Sequence, residues 1–467
     1  MSPGRDDGSA RDWPSAVAFD LAHVWHPFTQ MKEHDRAPPL PVVRGEGCDL
    51  VLADGRRVFD GVASWWTSLH GHGHPRLAAA LARQAAALDH VMFAGFTHGP
   101  AIDLTRALCT FLPEPLRRVF FSDNGSTAIE VALKMTFQAQ HQRGERARVK
   151  VGALRHAYHG DTLGAVGVGE LENFMTAIFE PLLLRCERLD VPDDPRRLVG
   201  AGAAEEAAAT KLVADAEVAI DGYFAAHGAS LAAFVCEPLV RAAGGMRMWP
   251  PELLVRLRAA CDRHGVYLVF DEVMTGVGRT GTFLASEQAG VVPDVVCLSK
   301  MLTGGVLPLA VTCATDALYK EFWAEPEAGK AFLHGHSYTA NPVACAVAAE
   351  SLALFAETEL LAHARALGVA LRDAWARLVP HPTVRRARTL GAIAACDLVD
   401  PRTGAPLPAS RRAGLAVHLA ALERGLLVRP IGDCLYLVPP LATPCERVPA
   451  IVDALYASLD AAFMNVT

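Results

Sequence analysis

The chain has 467 residues, 51% hydrophobic and 20% charged: enough apolar material for a buried sheet, and too much length for one compact core, so a large domain and at least one smaller one are expected. Its 44 basic and 51 acidic residues leave a formal net charge of -7, and no basic run offers a footprint to nucleic acid. The 11 cysteines are scattered singly with no Cys-x-x-Cys pair, which argues against a metal finger and reads as small buried thiols in a reducing compartment.

The first twenty residues carry Arg5, Asp6, Asp7, Arg11 and Asp12 and lack an apolar core, so no signal peptide is evident. The longest uncharged stretch, residues 331–349, contains two histidines, Asn341 and Pro342 and does not read as a membrane span. A soluble, cytoplasmic protein is expected. Residues 1–16 read as a disordered lead, and residues 23–30, with Trp25, His26 and Phe28, as an aromatic segment packed on the main body. Residues 42–59 read as a hairpin or meander turning at Asp54-Gly55. From Gly61 to Pro75 the chain is uncharged but not apolar. His70, His72 and His74 alternate there with glycines, and no cysteine or carboxylate joins them, which does not suit a metal. A loop placing the indoles of Trp65 and Trp66 beside a ligand is the better reading, with two core tryptophans as the alternative.

Val119–Phe121 reads as a strand, Ser122 to Gly125 as a turn and Ser126 onward as a helix, with Thr127 and Glu130 at capping-box spacing. Such a turn sets backbone N–H groups and hydroxyls where a phosphate binds. Arg155 to Thr162 resembles another strand-end loop, whose Tyr158 suits stacking on a planar cofactor. Residues 203–226 form an alanine-rich helix, residues 234–236 a buried strand ending at Glu237, and residues 251–264 a helix closed by Gly265. Two apolar runs follow, one ending at Asp271 and one, Val295 to Ser299, delivering Lys300. Open α/β sheets bind ligands just outside the carboxyl ends of their strands, so an acid and an amine meet there. Pyridoxal phosphate (PLP) needs that pair, an acid to hold its ring-nitrogen proton and a lysine for the Schiff base.

Gly276, Gly278 and Gly281 spell a literal G-x-G-x-x-G, but Asp271 to Thr275 part it from the strand and no helix start follows, which weakens a dinucleotide-binding dehydrogenase. The β-helix-β alternation over residues 119–311 predicts an α/β fold with a mostly parallel sheet. Beyond Pro342, long helices over residues 344–378, strands near 391–398 and 435–438 and a last helix near 448–463 predict a smaller α+β domain. The expected division is 1–64 as an N-terminal segment joining the small domain, 65–343 as the large cofactor-binding domain and 344–467 as the small domain.

The run from Asp271 to Gly281, then Ser299-Lys300 and Thr303-Gly-Gly305, resembles the signature of class III, PLP-dependent aminotransferases of fold type I. Ser122 to Ser126, Tyr158 to Asp161 and Glu237-Pro238 look like the same class in the same order. The finer motifs are Trp25 to Pro27, Ser64-Trp65-Trp66, His70 to Pro75, His334 to Ser337, and Arg429 to Gly432 with Tyr436. They are similar to members that pass the amino group of S-adenosylmethionine to 8-amino-7-oxononanoate, giving 7,8-diaminononanoate for biotin. By that resemblance Gly125 and Ser126 hold the phosphate, Asp271 pairs with the pyridine nitrogen, Lys300 is the Schiff-base lysine and Tyr158 faces the ring. Phe28, Trp65, Trp66 and Tyr158 line the substrate pocket, and Arg429 takes the acceptor's carboxylate. Gly335, His336 and Ser337 reach into the partner subunit's site, where His336 and Ser337 contact cofactor, in a homodimer whose active sites use both chains.

A long methylene chain ending in a carboxylate wants apolar walls and one fixed cation, which agrees with those roles. Two positions depart from the pattern: Phe28 stands where many members have Tyr, and Arg241-Ala242 where Gln-Gly is usual. The first leaves lysine open as the donor. Another class III enzyme acting on ω-amines and a non-catalytic binding module are the remaining alternatives.

Overall fold

The computed structural model describes residues 11–170 and 178–464. A helix, Trp13–His23, begins inside the stretch expected to be disordered, because Asp12 accepts the Ser15 N–H (3.3 Å) and a proline occupies its first turn. Residues 1–10 of that lead lie outside the described residues. The expected meander follows as β1 (Val42–Glu46), β2 (Asp49–Leu52) and β3 (Arg57–Asp60), antiparallel throughout.

The main sheet is built from β4 (Arg118–Ser122), β5 (Lys150–Leu154), β6 (Cys186–Leu189) and β7 (Leu231–Cys236), and, beyond a short hairpin of β8 (Val240–Arg241) and β9 (Arg247–Met248), β10 (Tyr267–Asp271), β11 (Val295–Leu298) and β12 (Ala310–Ala314). Its order is β4-β12-β11-β10-β7-β5-β6, and only β12 runs against its neighbours. Every residue of β7, β10, β11 and β12 is buried, as a sheet covered by helices on both faces requires, and this explains why these strands read as continuous apolar runs. The helix Gly125–Gln142 covers one face with Ala128, Ile129, Ala132 and Leu133.

The third sheet holds β13 (Val384–Leu390), β14 (Ile393–Leu398) and β16 (Cys434–Leu437), packed against the helix Leu360–Trp375, while β15 (Leu426–Leu427) leaves this part of the chain to pair in parallel with β3. β13 escapes sequence reading because Arg385, Arg386 and Arg388 interrupt its apolar pattern. The buried Arg388 is accommodated by the Gly245 and Met246 carbonyls (2.6 and 2.9 Å) and by Asp397 (2.8 Å).

The helix Glu252–His264 ends where Gly265 turns left-handed (φ 64°) and feeds β10, so the one residue type free to adopt that conformation sits at the entry to the central strand. A Cβ there would also lie 3.4 Å from Arg148 Nη2. Gly265→Ala is expected to destabilise the protein by about 1 kcal/mol without altering the active-site cavity. The check is a lowered denaturation midpoint with unchanged cofactor affinity.

Candidate active site

Register fixes the centre of the site. Asp271 pairs with Cys297 across β10 and β11, and Lys300 follows three residues later, past the end of β11. A cavity of about 460 Å³, within the range of small-molecule sites, opens at these carboxyl ends. Gly125, Ser126, Tyr158, Asp271 and Lys300 line it together with Trp66.

One wall is the start of the helix Gly125–Gln142. Asn124 accepts the Thr127 N–H (3.1 Å) and Thr127 Oγ1 accepts the Asn124 N–H (3.1 Å), so the capping box is made by these two residues and not by Thr127 and Glu130. Glu130 instead accepts the Gly164 N–H (2.8 Å). First-turn N–H groups have no intrahelical acceptor, so Gly125 and Ser126 present theirs at the positive end of an 18-residue helix. Two glycines allow the close packing. A Cβ on Gly125 would lie 2.7 Å from Val273 Cγ1, and one on Gly160 (φ 119°) 1.9 Å from Ser126 Oγ. Ser126 Oγ also accepts the Asp161 N–H (3.1 Å).

The opposite wall carries the acid. Asp271 Oδ1 accepts the Val273 N–H (3.0 Å), and Oδ2 lies 2.8 Å from Nδ1 of His159, whose side chain is fully enclosed. A carboxylate only accepts, so the imidazole donates from Nδ1, and its buried Nε2 has no partner among the described residues. Sequence reading passed over His159, although it stands in the same strand-end loop beside Tyr158. The Tyr158 hydroxyl donates to Asp161 Oδ2 (3.0 Å), and burial together with that carboxylate raises the phenol's pKa, keeping it protonated.

Lys300 sits at φ 46°, a strained backbone for a non-glycine residue. Burial lowers the pKa of its amine, against the opposing pull of Asp271, Glu237 and Asp161, and Nζ lies 5.0 Å from the Trp66 ring centroid. These residues fit PLP: a helix start for its phosphate, an acid braced by an imidazole for its ring nitrogen, a phenol ring for its face and an amine made less basic by burial.

Phe28, Trp65 and Arg429 form a separate aromatic and cationic cluster. The Arg429 guanidinium lies 5.2 Å from the half-exposed Trp65 ring, and Phe28 meets that ring edge-on at 5.8 Å. Phe28 and Arg429 border a second hollow of about 1110 Å³ between the N-terminal segment and the helix Ala413–Leu422. Gly335, His336 and Ser337 line neither cavity of their own chain; His336 Nε2 lies 3.5 Å from Asp123 Oδ1, and Leu333 and Tyr338 beside them are exposed. The unusual Arg241 is fully buried, held by the Arg155 and Val191 carbonyls (3.2 Å each) and Asp193 (2.9 Å), outside the cavity lining. The N–H of Ala242 goes to Glu237 Oε1 (2.9 Å).

Glu237, closing β7, also accepts the Tyr158 N–H (3.0 Å), and burial pushes its pKa up to about 7 from 4.5. The folded carboxyl therefore keeps its proton to near neutrality while the unfolded one loses it near pH 4.5. Its stabilising contribution is complete below 4.5 and is lost as pH rises through about 7, a change of about 3 kcal/mol. Denaturant midpoints of the cofactor-free protein should fall more steeply from pH 4.5 to 7.5 than those of Glu237→Gln; parallel curves would contradict this.

Comparison with known proteins agrees with this chemistry. The family model described as aminotransferase class-III matches residues 30–459. An adenosylmethionine-8-amino-7-oxononanoate aminotransferase of Synechococcus elongatus is 49% identical, over 91% of this chain and 95% of that protein, and one of Geobacter sulfurreducens is 38% identical over 98% of each. A crystal structure of an adenosylmethionine-8-amino-7-oxononanoate aminotransferase from Methanocaldococcus jannaschii superposes with a TM-score of 0.88 at 31% identity, covering 96% of this chain and 99% of that one. The omega transaminase of Pseudomonas jessenii in complex with PMP gives 0.87 at 28%, covering 96% and 98%. With the family model running almost end to end and relatives this similar along their whole lengths, the chain belongs to the class-III aminotransferases, enzymes that depend on PLP.

Proposed function

We propose that this aminotransferase moves the amino group of S-adenosylmethionine to 8-amino-7-oxononanoate, giving 7,8-diaminononanoate for biotin. The names of its relatives support the substrates, and the observation that carries the reading is the Arg429 guanidinium stacked on Trp65 beside Phe28. That is one fixed cation among aromatic walls, which suits a methylene chain with a terminal carboxylate.

PLP, when bound, supplies an electron-withdrawing ring and the carbon on which an amine is exchanged for an oxo group. Gly125 and Ser126 hold its phosphate through the helix start. Asp271 would be the acid at its ring nitrogen, and the hydrogen bond from His159 Nδ1 keeps that carboxylate aimed. Tyr158 would cover the ring, its hydroxyl fixed by Asp161. Lys300 Nζ, made less basic by burial, takes the proton from the donor's amine-bearing carbon and returns one to the acceptor's carbon in the second half. Trp66, which lines the same cavity, excludes water from that path.

The same reading divides the chain into 1–64, 65–343 and 344–467, with the β3–β15 pairing tying the first segment to the last. It also makes the protein a homodimer. Leu333 and Tyr338, exposed on either side of Gly335, His336 and Ser337, supply an apolar loop for the partner to cover, and His336 and Ser337 then serve the partner's cofactor. No helix among the described residues is long and apolar enough to cross a membrane.

The test is the holoenzyme's visible spectrum. S-adenosylmethionine alone should abolish the cofactor's yellow absorption and lysine should not; loss with lysine only would move the donor and implicate Phe28. Lys300→Ala should retain cofactor but lose turnover by roughly 10³-fold, and transamination persisting in that variant would overturn the assignment.

A further inference from the structure

Trp65 and Trp66 stand on one turn of left-handed helix. The φ angles of Ala63, Ser64, Trp65 and Trp66 are 47°, 47°, 66° and 70°, and the turn is closed by hydrogen bonds from Trp66 N–H to the Val62 carbonyl (2.8 Å) and from Thr67 N–H to the Ala63 carbonyl (2.8 Å). Glycine adopts this conformation freely and other L-residues resist it, yet none of the four is glycine. An outside restraint is required.

Asp60 supplies one. It ends β3, is completely buried, and has no Lys or Arg partner among the described residues. Its Oδ2 accepts the Ser64 hydroxyl (2.7 Å) and lies 2.9 Å from His72 Nε2, while Oδ1 faces the Val62 N–H at 3.4 Å. Both ends of this tether are fixed. The Asp60 N–H donates to the Cys48 carbonyl (2.9 Å), and His72 exchanges both backbone hydrogen bonds with Gly47 (3.1 and 2.6 Å). His72 is so tightly seated that a Cβ on Gly45 would lie 2.4 Å from its own Cβ.

The wound turn presents two neighbouring indoles to two different partners, Trp65 to Arg429 at 5.2 Å and Trp66 to Lys300 at 5.0 Å. Unwinding it would disturb both contacts at once. We propose that Asp60 is a positioning residue: through Ser64 and His72 its carboxylate keeps the left-handed turn wound, and so holds Trp65 over the carboxylate-binding Arg429 and Trp66 against Lys300. The consequence for substrate rests on the reading of Arg429 given above.

Two pairs of variants test it. Asp60→Asn keeps the volume but weakens the tether, and should raise KM for the oxo acceptor about tenfold with a smaller change in kcat; adding Ser64→Gly, which lets the turn form unaided, should recover most of that loss. Should Asp60→Asn fail to fold, Ser64→Ala and Ser64→Gly delete the same hydroxyl and differ only in tolerance of the left-handed backbone. The alanine variant should then show about a fivefold higher KM and a Tm lower by about 2 °C than the glycine one. Equal KM and Tm for that pair, or no recovery in the double variant, would overturn the proposal. The Tm comparison needs no substrate, so an unaltered enzyme that ignores 8-amino-7-oxononanoate would defeat the substrate reading while leaving the turn to be decided by melting.

Discussion

Parallel pairing of β10 with β11 is the constraint on which the site depends. With Phe270 opposite Val296 and Asp271 opposite Cys297, the acid and the lysine emerge at one edge of the sheet; a slip of a single residue would turn Asp271 to the other face. The pairing has a structural consequence of its own. A parallel central strand leaves no face for water, so helices must cover both sides, and one of them, Gly125–Gln142, starts at the same edge because it follows a strand of the same direction. Its N-terminal N–H groups thus arrive beside Asp271 and Lys300 without any dedicated element.

Burial at that edge sets the electrostatics. Asp271 and Glu237 are enclosed beside Lys300, where desolvation competes with mutual charge, and Glu272, the next residue after Asp271, is enclosed as well. For the two glutamates desolvation wins, raising each to about 7. Asp271 is the one of the three in direct hydrogen-bond contact with the His159 imidazole, which aims its carboxylate. Glu272 has a different task. It accepts the Thr275 hydroxyl (2.6 Å) and the Ala285 and Ser286 N–H groups (3.0 and 2.9 Å), stapling the loop that contains Gly276, Gly278 and Gly281. The glycines that imitate a dinucleotide motif are there for packing: a Cβ on Gly276 would lie 2.7 Å from the Glu272 carbonyl oxygen.

Much of this was legible in the chain. Buried parallel strands ending in Asp271, Glu237 and Lys300 stand out because continuous apolar runs and terminal charges are both local signals. What was not legible depends on distance in sequence. The partnership of His159 with Asp271 spans 112 residues, and Arg388 hides β13 until the Gly245 and Met246 carbonyls that satisfy it are placed beside it. The helix cap was misassigned by one turn because Asn124 and Thr127 outcompete Thr127 and Glu130, a choice that rests on Glu130 having Gly164 to bind instead. The helical start at Trp13 was masked by a polar, charged neighbourhood that reads as disorder.

Local sequence also failed to announce the backbone at several residues of the proposed substrate site, and for a physical reason. Phe28, the four residues of the Ala63–Trp66 turn and Lys300 all hold positive φ without being glycine, each at a cost of about 1–2 kcal/mol. Glycine would remove that cost and also remove the indole, the phenyl ring or the amine that the proposed chemistry needs. The conflict between side chain and backbone is resolved by neighbours: Asp60 and His72 for the turn, and for Lys300 the wall of strands around it. Conformations imposed in this way belong to the folded whole, so no window of a few residues can announce them.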